Sequence, residues 1–420
     1  MRIGFVCGAG TSIPVGMSST SGLTETILAG RDFNRHTSGV YCFDNRKIET
    51  HELPEKDVPR IATLLAVLKN EIDQYYHCGK HDLEDSSGFY EMFGRHETNY
   101  EDLYYCARQL SDSDHFEYEN PTVMALFKKL NSMSTVKAIL RREPWEIHEN
   151  WRLTTLLSET CNYIRDVVAH ELCRTLDQVP VVSPLITAAC DDEISLMDVY
   201  TLNHDMVIEQ LLASSGVPHC DGFTDLRGDV MHWNPDSLPN SNARVRLFKL
   251  HGSVNWFSFS PSIPMWGSQC TGIALNGDIY HAKNERGERH PLEVVKGPLM
   301  LMGTFNKIIE YNYGIFADLQ LMFHQNLRET DSLVVCGYSF GDKAVNTRLL
   351  DWLHSSGLRR MAVIDPSADS MNRIARGAVR RQWDCLVATG KIIPFNLGIE
   401  SADWHTVKHA LSGKPAPDVR

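Results

Sequence analysis

The chain opens with Ile3-Gly4-Phe5-Val6-Cys7-Gly8-Ala9-Gly10-Thr11-Ser12. No polar residue alternates with the apolar ones from Ile3 to Cys7, so this segment reads as a strand buried on both faces. Gly8 and Gly10 then permit a tight turn from strand to helix, and a helix is expected from about Thr20 through Leu28. Such a turn can offer consecutive backbone N–H groups, and a helix N-terminus, to a pyrophosphate. It departs from the G-x-G-x-x-G dinucleotide fingerprint because Ile13 stands where the third glycine belongs. Alone, the string is equally a glycine turn with no ligand.

The alternation of strand and helix resumes at Ser195. Leu196–Thr201 reads as a strand, followed by a helix that Asp205 can cap and that runs through Leu212 to a stop at Gly216. Val245–Leu250 is the next strand, and residues 254–300, rich in Gly, Pro, Trp and Tyr, suggest hairpins or an irregular small subdomain. A helix near Ile309–Arg328 leads to the strand Ser332–Cys336. Then come a helix Lys343–His354, a strand Met361–Asp365, a helix near Ala368–Arg381, a strand Lys391–Pro394 and a helix near Ala402–Leu411. The tail from Lys414 is expected to fray. Strands separated by helices imply an α/β fold with a parallel, doubly wound Rossmann-like sheet.

Residues 31 to about 190 differ. Ile61–Tyr76, Glu101–Leu110, Val123–Arg142 and Arg152–Leu176 carry apolar residues at helical spacing, with polar loops such as Gly79–Gly88 and Asp112–Asn120 between them. The expected organisation is a nucleotide-binding domain of 1–29 plus 195–413, a mainly α-helical insertion at 30–194, and the small subdomain at 254–300.

A formal charge of −12 argues against a broad electrostatic grip on nucleic acid, and no sequence-specific binding of it is expected. Arg373, Arg376, Arg380 and Arg381 lie at near-helical spacing and read as a solvated helix face. No apolar stretch approaches the roughly 20 residues of a membrane helix, and the apolar run before Gly8 is too short for a signal peptide. Eleven cysteines stand singly, none in C-x-x-C spacing, which suggests mostly buried free thiols, no zinc ribbon and a cytoplasmic location.

Three more strings each follow a strand: Thr201-Leu202-Asn203-His204-Asp205, Lys249-Leu250-His251-Gly252-Ser253 and Gly337-Tyr338-Ser339-Phe340-Gly341-Asp342. Ligands of open parallel sheets bind beyond the carboxyl ends of strands, where all four strings fall. The amide of Asn203 can hold a ribose hydroxyl or an attacking water without titrating. His251 can take a proton near neutral pH. Asp205 can orient a ligand or cap its helix. Gly337 and Ser339 offer a second phosphate-facing turn, Asn346 lies nearby, and Asp365 can accept bonds from a ribose diol or serve as an ordinary helix cap.

Together the strings resemble the sirtuin signature: Gly-Ala-Gly-x-Ser, Thr-x-Asn-x-Asp, His-Gly-Ser and Gly-x-Ser, in family order, over roughly 1–29 and 195–400. The resemblance implies NAD as substrate. Gly8, Ala9, Gly10, Thr11 and Ser12 would serve its phosphates, Asn203 and Asp205 the nicotinamide ribose, His251 as base, and Gly337, Ser339, Asn346 and Asp365 the adenosine half. Two features of the deacylating sirtuins are missing, the Asp-Phe-Arg stretch after the first loop and the four-cysteine zinc ribbon. What remains is similar to prokaryotic sirtuin-like effectors of anti-phage defence, which hydrolyse NAD.

The resemblance thus implies an NAD glycohydrolase releasing nicotinamide and ADP-ribose. It also implies a homo-oligomer activated by a separate protein such as a HerA-type ATPase. The competing readings are an NAD-dependent protein deacylase or ADP-ribosyltransferase, and a non-catalytic sensor of NAD or ADP-ribose.

Overall fold

The computed structural model describes residues 1–35, 39–43, 57–78, 97–114, 120–141, 152–176, 184–260, 270–284, 286–290, 297–303 and 306–413. The expected loop Gly79–Gly88, the end of the Val123–Arg142 segment, parts of 254–300 and the tail from Lys414 lie outside them. The chain forms two compact units. One comprises Met1–Ser19, Leu172–Val295 and Ile308–Arg420, the other Thr20–Glu171 and Lys296–Lys307.

The described strands, in chain order, are β1 (Arg2–Cys7), β2 (Phe33–Arg35), β3 (Tyr41–Phe43), β4 (Leu196–Thr201), β5 (His219–Cys220), β6 (Phe223–Arg227) and β7 (Val230–Trp233). They continue with β8 (Val245–Lys249), β9 (Phe257–Phe259), β10 (Cys270–Ala274), β11 (Ser332–Cys336), β12 (Arg360–Ile364) and β13 (Ile392–Phe395).

In the first unit, seven strands form one parallel sheet in the order β13-β12-β11-β1-β4-β8-β5. The middle strands are buried along nearly their whole length, as their unbroken apolar runs require. Helix Gly314–Glu329 covers one face, where Phe323 meets Tyr200 with ring centres 4.7 Å apart. Helix Trp404–Leu411 covers the other, with Trp404 6.0 Å from Phe5. The sheet is doubly wound, as its alternating elements imply. From β1 the chain passes to β4 on one side and later returns to β11 on the other, so the topological switch falls between β1 and β11.

The sheet interior holds charges among its apolar residues. Asp198 of β4 is fully buried and takes both bonds of the Arg246 guanidinium from the same rung of β8, at 2.7 and 2.9 Å. Arg2 adds a bond at 3.2 Å and the Tyr200 hydroxyl one at 3.3 Å. The two-pronged geometry satisfies both ions, each of which is buried.

Helix expectations needed three corrections. The segment Ala368–Arg381 is a turn at Ala368–Ser370, a short helix Met371–Ile374 and a longer one, Gly377–Ala388. The break at Ala375 and Arg376 comes where the Arg376 N–H donates to the Phe340 carbonyl instead of continuing the helix. The segment at 309–328 is two helices, Asn306–Glu310 and Gly314–Glu329, parted at Gly314, whose φ is +51°. The expected loop from Asp112 begins later, because helix Tyr100–Asp114 runs through that residue, held by an Arg108–Asp112 pair at helical spacing.

A second sheet in the same unit, β6-β7-β10-β9, is antiparallel and closes over Val230, Phe259, Ala274 and Ala282. It begins at Phe223, well before the expected small subdomain at 254. Its β6–β7 hairpin turns on Gly228-Asp229, with Gly228 at φ +60°.

The other unit packs helices Thr20–Ala29, Asp57–Cys78, Tyr100–Asp114, Pro121–Ser132, Ser134–Leu140 and Leu153–Leu172 with the hairpin β2–β3. Thr20–Ala29, grouped by its sequence with the nucleotide-binding part, belongs here. The Tyr163 hydroxyl donates to the Ile27 carbonyl at 3.0 Å, and the Tyr100 N–H to the Thr24 hydroxyl at 3.0 Å. Of the ten cysteines whose side chains are described, all free, three are buried and three are exposed, so the expectation of mostly buried thiols does not hold. No helix among the described residues is long and apolar enough to cross a membrane.

Asp198→Ala leaves the Arg246 charge unpartnered within the sheet and is expected to destabilise this unit by about 3–5 kcal/mol. Asp198→Leu combined with Arg246→Met should recover most of that loss. Denaturant unfolding of the two variants checks this; a single variant within ~1 kcal/mol of wild type would contradict it.

Candidate active site at the carboxyl edge of the parallel sheet

The loops after β1 and β11 meet at the switch point, backbone against backbone. A β-carbon on Gly8 would lie 2.6 Å from the Gly337 carbonyl oxygen, and one on Gly10 2.7 Å from the Gly337 α-carbon. Gly337 has φ +56°, and a β-carbon there would fall 2.5 Å from the Gly10 carbonyl carbon. The glycines are therefore required by the contact between loops.

That contact consumes donors the sequence reading assigned to a pyrophosphate. Gly8 N–H donates to Cys336 O, Gly10 N–H to Gly337 O, Thr11 N–H to Gly8 O and Ser12 N–H to Ala9 O, all at 2.9–3.0 Å. Nor does a long helix start here: two 3-10 turns, Ala9–Thr11 and Ile13–Val15, come first. The Ala9 N–H stands outside this net among the described residues, and both Ala9 and Ser339 are exposed at the loop tips. These two remain as candidate phosphate donors.

Register sets the next two groups side by side. Thr201 of β4 and Lys249 of β8 share a rung, and Asn203 and His251 each lie two residues beyond it. Their loops are stitched by the Val254 N–H donating to the His204 carbonyl at 3.0 Å. Asn203 is buried, and its Nδ2 gives one hydrogen to the Gly8 carbonyl at 2.9 Å and the other to the Ser12 hydroxyl at 3.0 Å. A carbonyl only accepts, so the nitrogen must lie on that side. No donor among the described residues reaches Asn203 Oδ1, which is thereby fixed as an acceptor.

Ser12 in turn favours the charged form of Asp205, whose carboxylate also accepts from the Val207 N–H at 3.0 Å near the start of helix Val207–Ser214. The N-cap of that helix is Met206, so Asp205 does not take the expected capping place; it stands one residue before it and closes the turn that leads into the helix. Burial nevertheless pushes its carboxyl above the ordinary value, outweighing the nearby Lys249 ammonium, Val207 N–H and Ser12 hydroxyl, which pull it down. Lys249 reaches the Asp205 backbone carbonyl and the Glu209 carboxylate, the latter at 2.7 Å.

His251 is buried, and its Nε2 lies 2.7 Å from the Tyr311 hydroxyl and 3.2 Å from Asp342 Oδ2. Tyr311 donates to that same oxygen at 2.6 Å. Asp342 Oδ1 caps helix Lys343–His354 through the N–H groups of Ala344 and Val345. Neither Tyr311 nor Asp342 was assigned a role from sequence. Asp342 closes the quoted Gly337–Asp342 string and carries a readable cap signal, whereas nothing in the sequence marks Tyr311.

Two expected nucleotide ligands are otherwise committed. Thr11 is fully buried and its hydroxyl donates to the Cys336 carbonyl at 3.1 Å, tying the loop to β11. Asn346 bonds the Tyr338 hydroxyl at 2.9 Å and the Phe340 carbonyl at 2.8 Å, holding Phe340 at φ +55°. The side chains of both serve the fold. Asp365, half-buried at the end of β12, accepts from the Ser367 N–H at 2.8 Å through Oδ1. Among the described residues, no group of three or more His, Cys, Asp or Glu is arranged to hold a metal ion.

A parallel, doubly wound sheet with polar groups gathered at its switch point defines an open α/β protein whose ligand position would be that edge. Residues 198–384 match the family model described as a SIR2-like domain, and over that span the protein is sirtuin-like. Such a domain implies an NAD-utilising enzyme with activity of the sirtuin kind. One similar solved structure, described as "The Structural basis of Sirtuin Substrate Affinity", has 10% identity and a TM-score of 0.36, covering 99% of this chain and 94% of the other. A second is SIR2 in complex with the inhibitor EX-527, 2'-O-acetyl-ADP-ribose and a deacetylated p53 peptide. It has 8% identity and a TM-score of 0.31, covering 98% and 94%. No curated protein matches the sequence.

Because the Asp205 carboxyl is held above its ordinary 3.8, the native fold binds that proton more tightly than the unfolded chain. The stability so gained is complete below pH 3.8 and is lost as pH rises through the native value. Asp205→Asn keeps an oxygen for the Val207 N–H and is expected to raise the thermal midpoint at pH 7, with a gain that shrinks toward pH ~4. A gain that instead grows on acidification would overturn this account.

Proposed function

We propose that the chain is an NAD glycohydrolase that cleaves the nicotinamide–ribose bond. The bond to be broken joins ribose C1′ to a cationic pyridinium nitrogen, which departs with the bonding pair as neutral nicotinamide. Positive charge then develops on the ribose, and water attacks C1′ to leave ADP-ribose. The protein's task is to hold the ribose, place the water and take up its proton.

The observation that carries this reading is the orientation of Asn203. With both amide hydrogens bound by the glycine loop, Oδ1 is presented as an acceptor for the water or a ribose hydroxyl. His251, from the neighbouring strand, accepts the proton. Ala9 and Ser339 receive the phosphates, and Asp365 Oδ2 the adenosine ribose diol. The reading also draws on the missing zinc ribbon and Asp-Phe-Arg stretch, which elsewhere serve deacylation.

An unrestrained NAD hydrolase would destroy its host's NAD pool, so activity must be conditional. We assign the chain to cytoplasmic anti-phage defence, as a homo-oligomer switched on by a separate protein such as a HerA-type ATPase. Size measurement in solution tests the oligomer; a constitutively active monomer would contradict it.

Asn203→Ala and His251→Ala are each expected to lower NAD turnover by ~10²-fold or more while leaving the fold intact. Mass spectrometry of products, with and without the genomic neighbour's product, should show nicotinamide and ADP-ribose in equal amounts. Acetyl-peptide-dependent formation of O-acetyl-ADP-ribose would establish a deacylase instead. Unchanged turnover in either variant would remove that residue's role.

A further inference from the structure

The mechanism above uses His251 but not the two groups that hold it. Tyr311 lies just after helix Asn306–Glu310 and is buried. Its ring lies roughly parallel to the imidazole, with 27° between the planes and 6.0 Å between centres, and its hydroxyl touches both His251 Nε2 and Asp342 Oδ2. A phenol has one hydrogen. The ionised carboxylate, 2.6 Å away, is the stronger acceptor, so that hydrogen goes to Asp342. The phenol oxygen then faces Nε2 with a lone pair, and Nε2 must carry a hydrogen. In the neutral ring, Nδ1 is therefore the basic nitrogen.

The carboxylate is anchored independently of the histidine. Its other oxygen caps helix Lys343–His354, and its backbone N–H donates to the Tyr338 hydroxyl at 3.0 Å. That hydroxyl is bonded in turn to Asn346, which clamps the strained Phe340. Loop 337–342 thus delivers a fixed negative charge to Nε2. The titratable groups facing His251 include Tyr311, Asp342 from the β11 loop, and His204 from the β4 loop, its ring centre 6.3 Å away. Lys249, two residues back on β8, is turned to Asp205 and Glu209.

We propose that Tyr311 and Asp342 are positioning residues that hold His251 as its Nε2–H tautomer and stabilise its protonated form, leaving Nδ1 as the basic nitrogen of the neutral ring. Only the rate readout rests on the NAD-cleaving reading, since the protonation of His251 can be followed without substrate.

The test is ¹⁵N-imidazole NMR of the full-length protein, with His251 assigned by its loss in His251→Ala, alongside pH profiles of kcat/KM. Asp342→Asn keeps the helix cap, because asparagine caps as well as aspartate, while removing the charge. Tyr311→Phe keeps the ring contact. Wild type should show the Nε2–H tautomer. An adjacent carboxylate favours the imidazolium, so Asp342→Asn should lower the His251 pKa by about one unit or more. The acid limb of kcat/KM should move to lower pH by the same amount. Tyr311→Phe should give a tautomer mixture and roughly tenfold lower kcat at constant KM.

An Nδ1–H tautomer in wild type, or an unchanged His251 titration in Asp342→Asn, would overturn the proposal whatever the rates do. A shifted titration without NAD turnover in any protein, partner present, would uphold the positioning role and defeat the glycohydrolase reading.

Discussion

Three glycines in van der Waals contact hold this site together. Gly8 and Gly10 from one loop meet Gly337 from the other so closely that no β-carbon fits on any of them. The contact arises where the sheet's connections part company, between β1 and β11, and it lets two strand ends approach without an intervening side chain. Through it, Ser12 and the Gly8 carbonyl come to lie under Asn203, and the 337–342 loop is aimed at His251. The same contact absorbs most of the loop's N–H groups, so the glycines act first as architecture and only at their tips as a ligand surface.

Two lines of polar side chains leave that contact. One runs from Asn203 through Ser12 to Asp205 and ends in a carboxyl that burial disfavours as an anion. The other runs from His251 through Tyr311 and Asp342 to Tyr338 and Asn346, joined throughout by hydrogen bonds. Burial makes the Asp205 charge unfavourable, and groups of that kind cluster at functional sites. The Asp198–Arg246 pair contrasts with them: it is equally buried but symmetrically satisfied, and it lies at the opposite half of the strands.

The central strands were legible because strands covered on both faces carry unbroken apolar runs, as Ile3 to Cys7 and Leu333 to Cys336 do. Elements governed by longer-range contacts were misread. The Ala368–Arg381 segment has helical spacing, yet Arg376 leaves the helix to bond Phe340. The β6–β7 hairpin went unread although Gly228-Asp229 is a two-residue turn signal between alternating strands. Among site residues, Asn203, Asp205 and His251 stood out as polar groups after apolar strands. Thr11 in the glycine string and Asn346 on the helix after the 337–342 loop were expected nucleotide ligands, but their side chains bond into the fold.

Backbone preference and hydrophobic period act over a few residues, so the order of strands, the glycine turns and the set of polar candidates could be read along the chain. Which candidate bonds which is a matter of partners brought together from far apart. Asn203 is 195 positions from Gly8, and His251 is 60 from Tyr311 and 91 from Asp342. No short-range rule encodes such pairings. They exist only once the strands have taken their places in the sheet, and with them come the direction of the Asn203 carbonyl and the tautomer of His251.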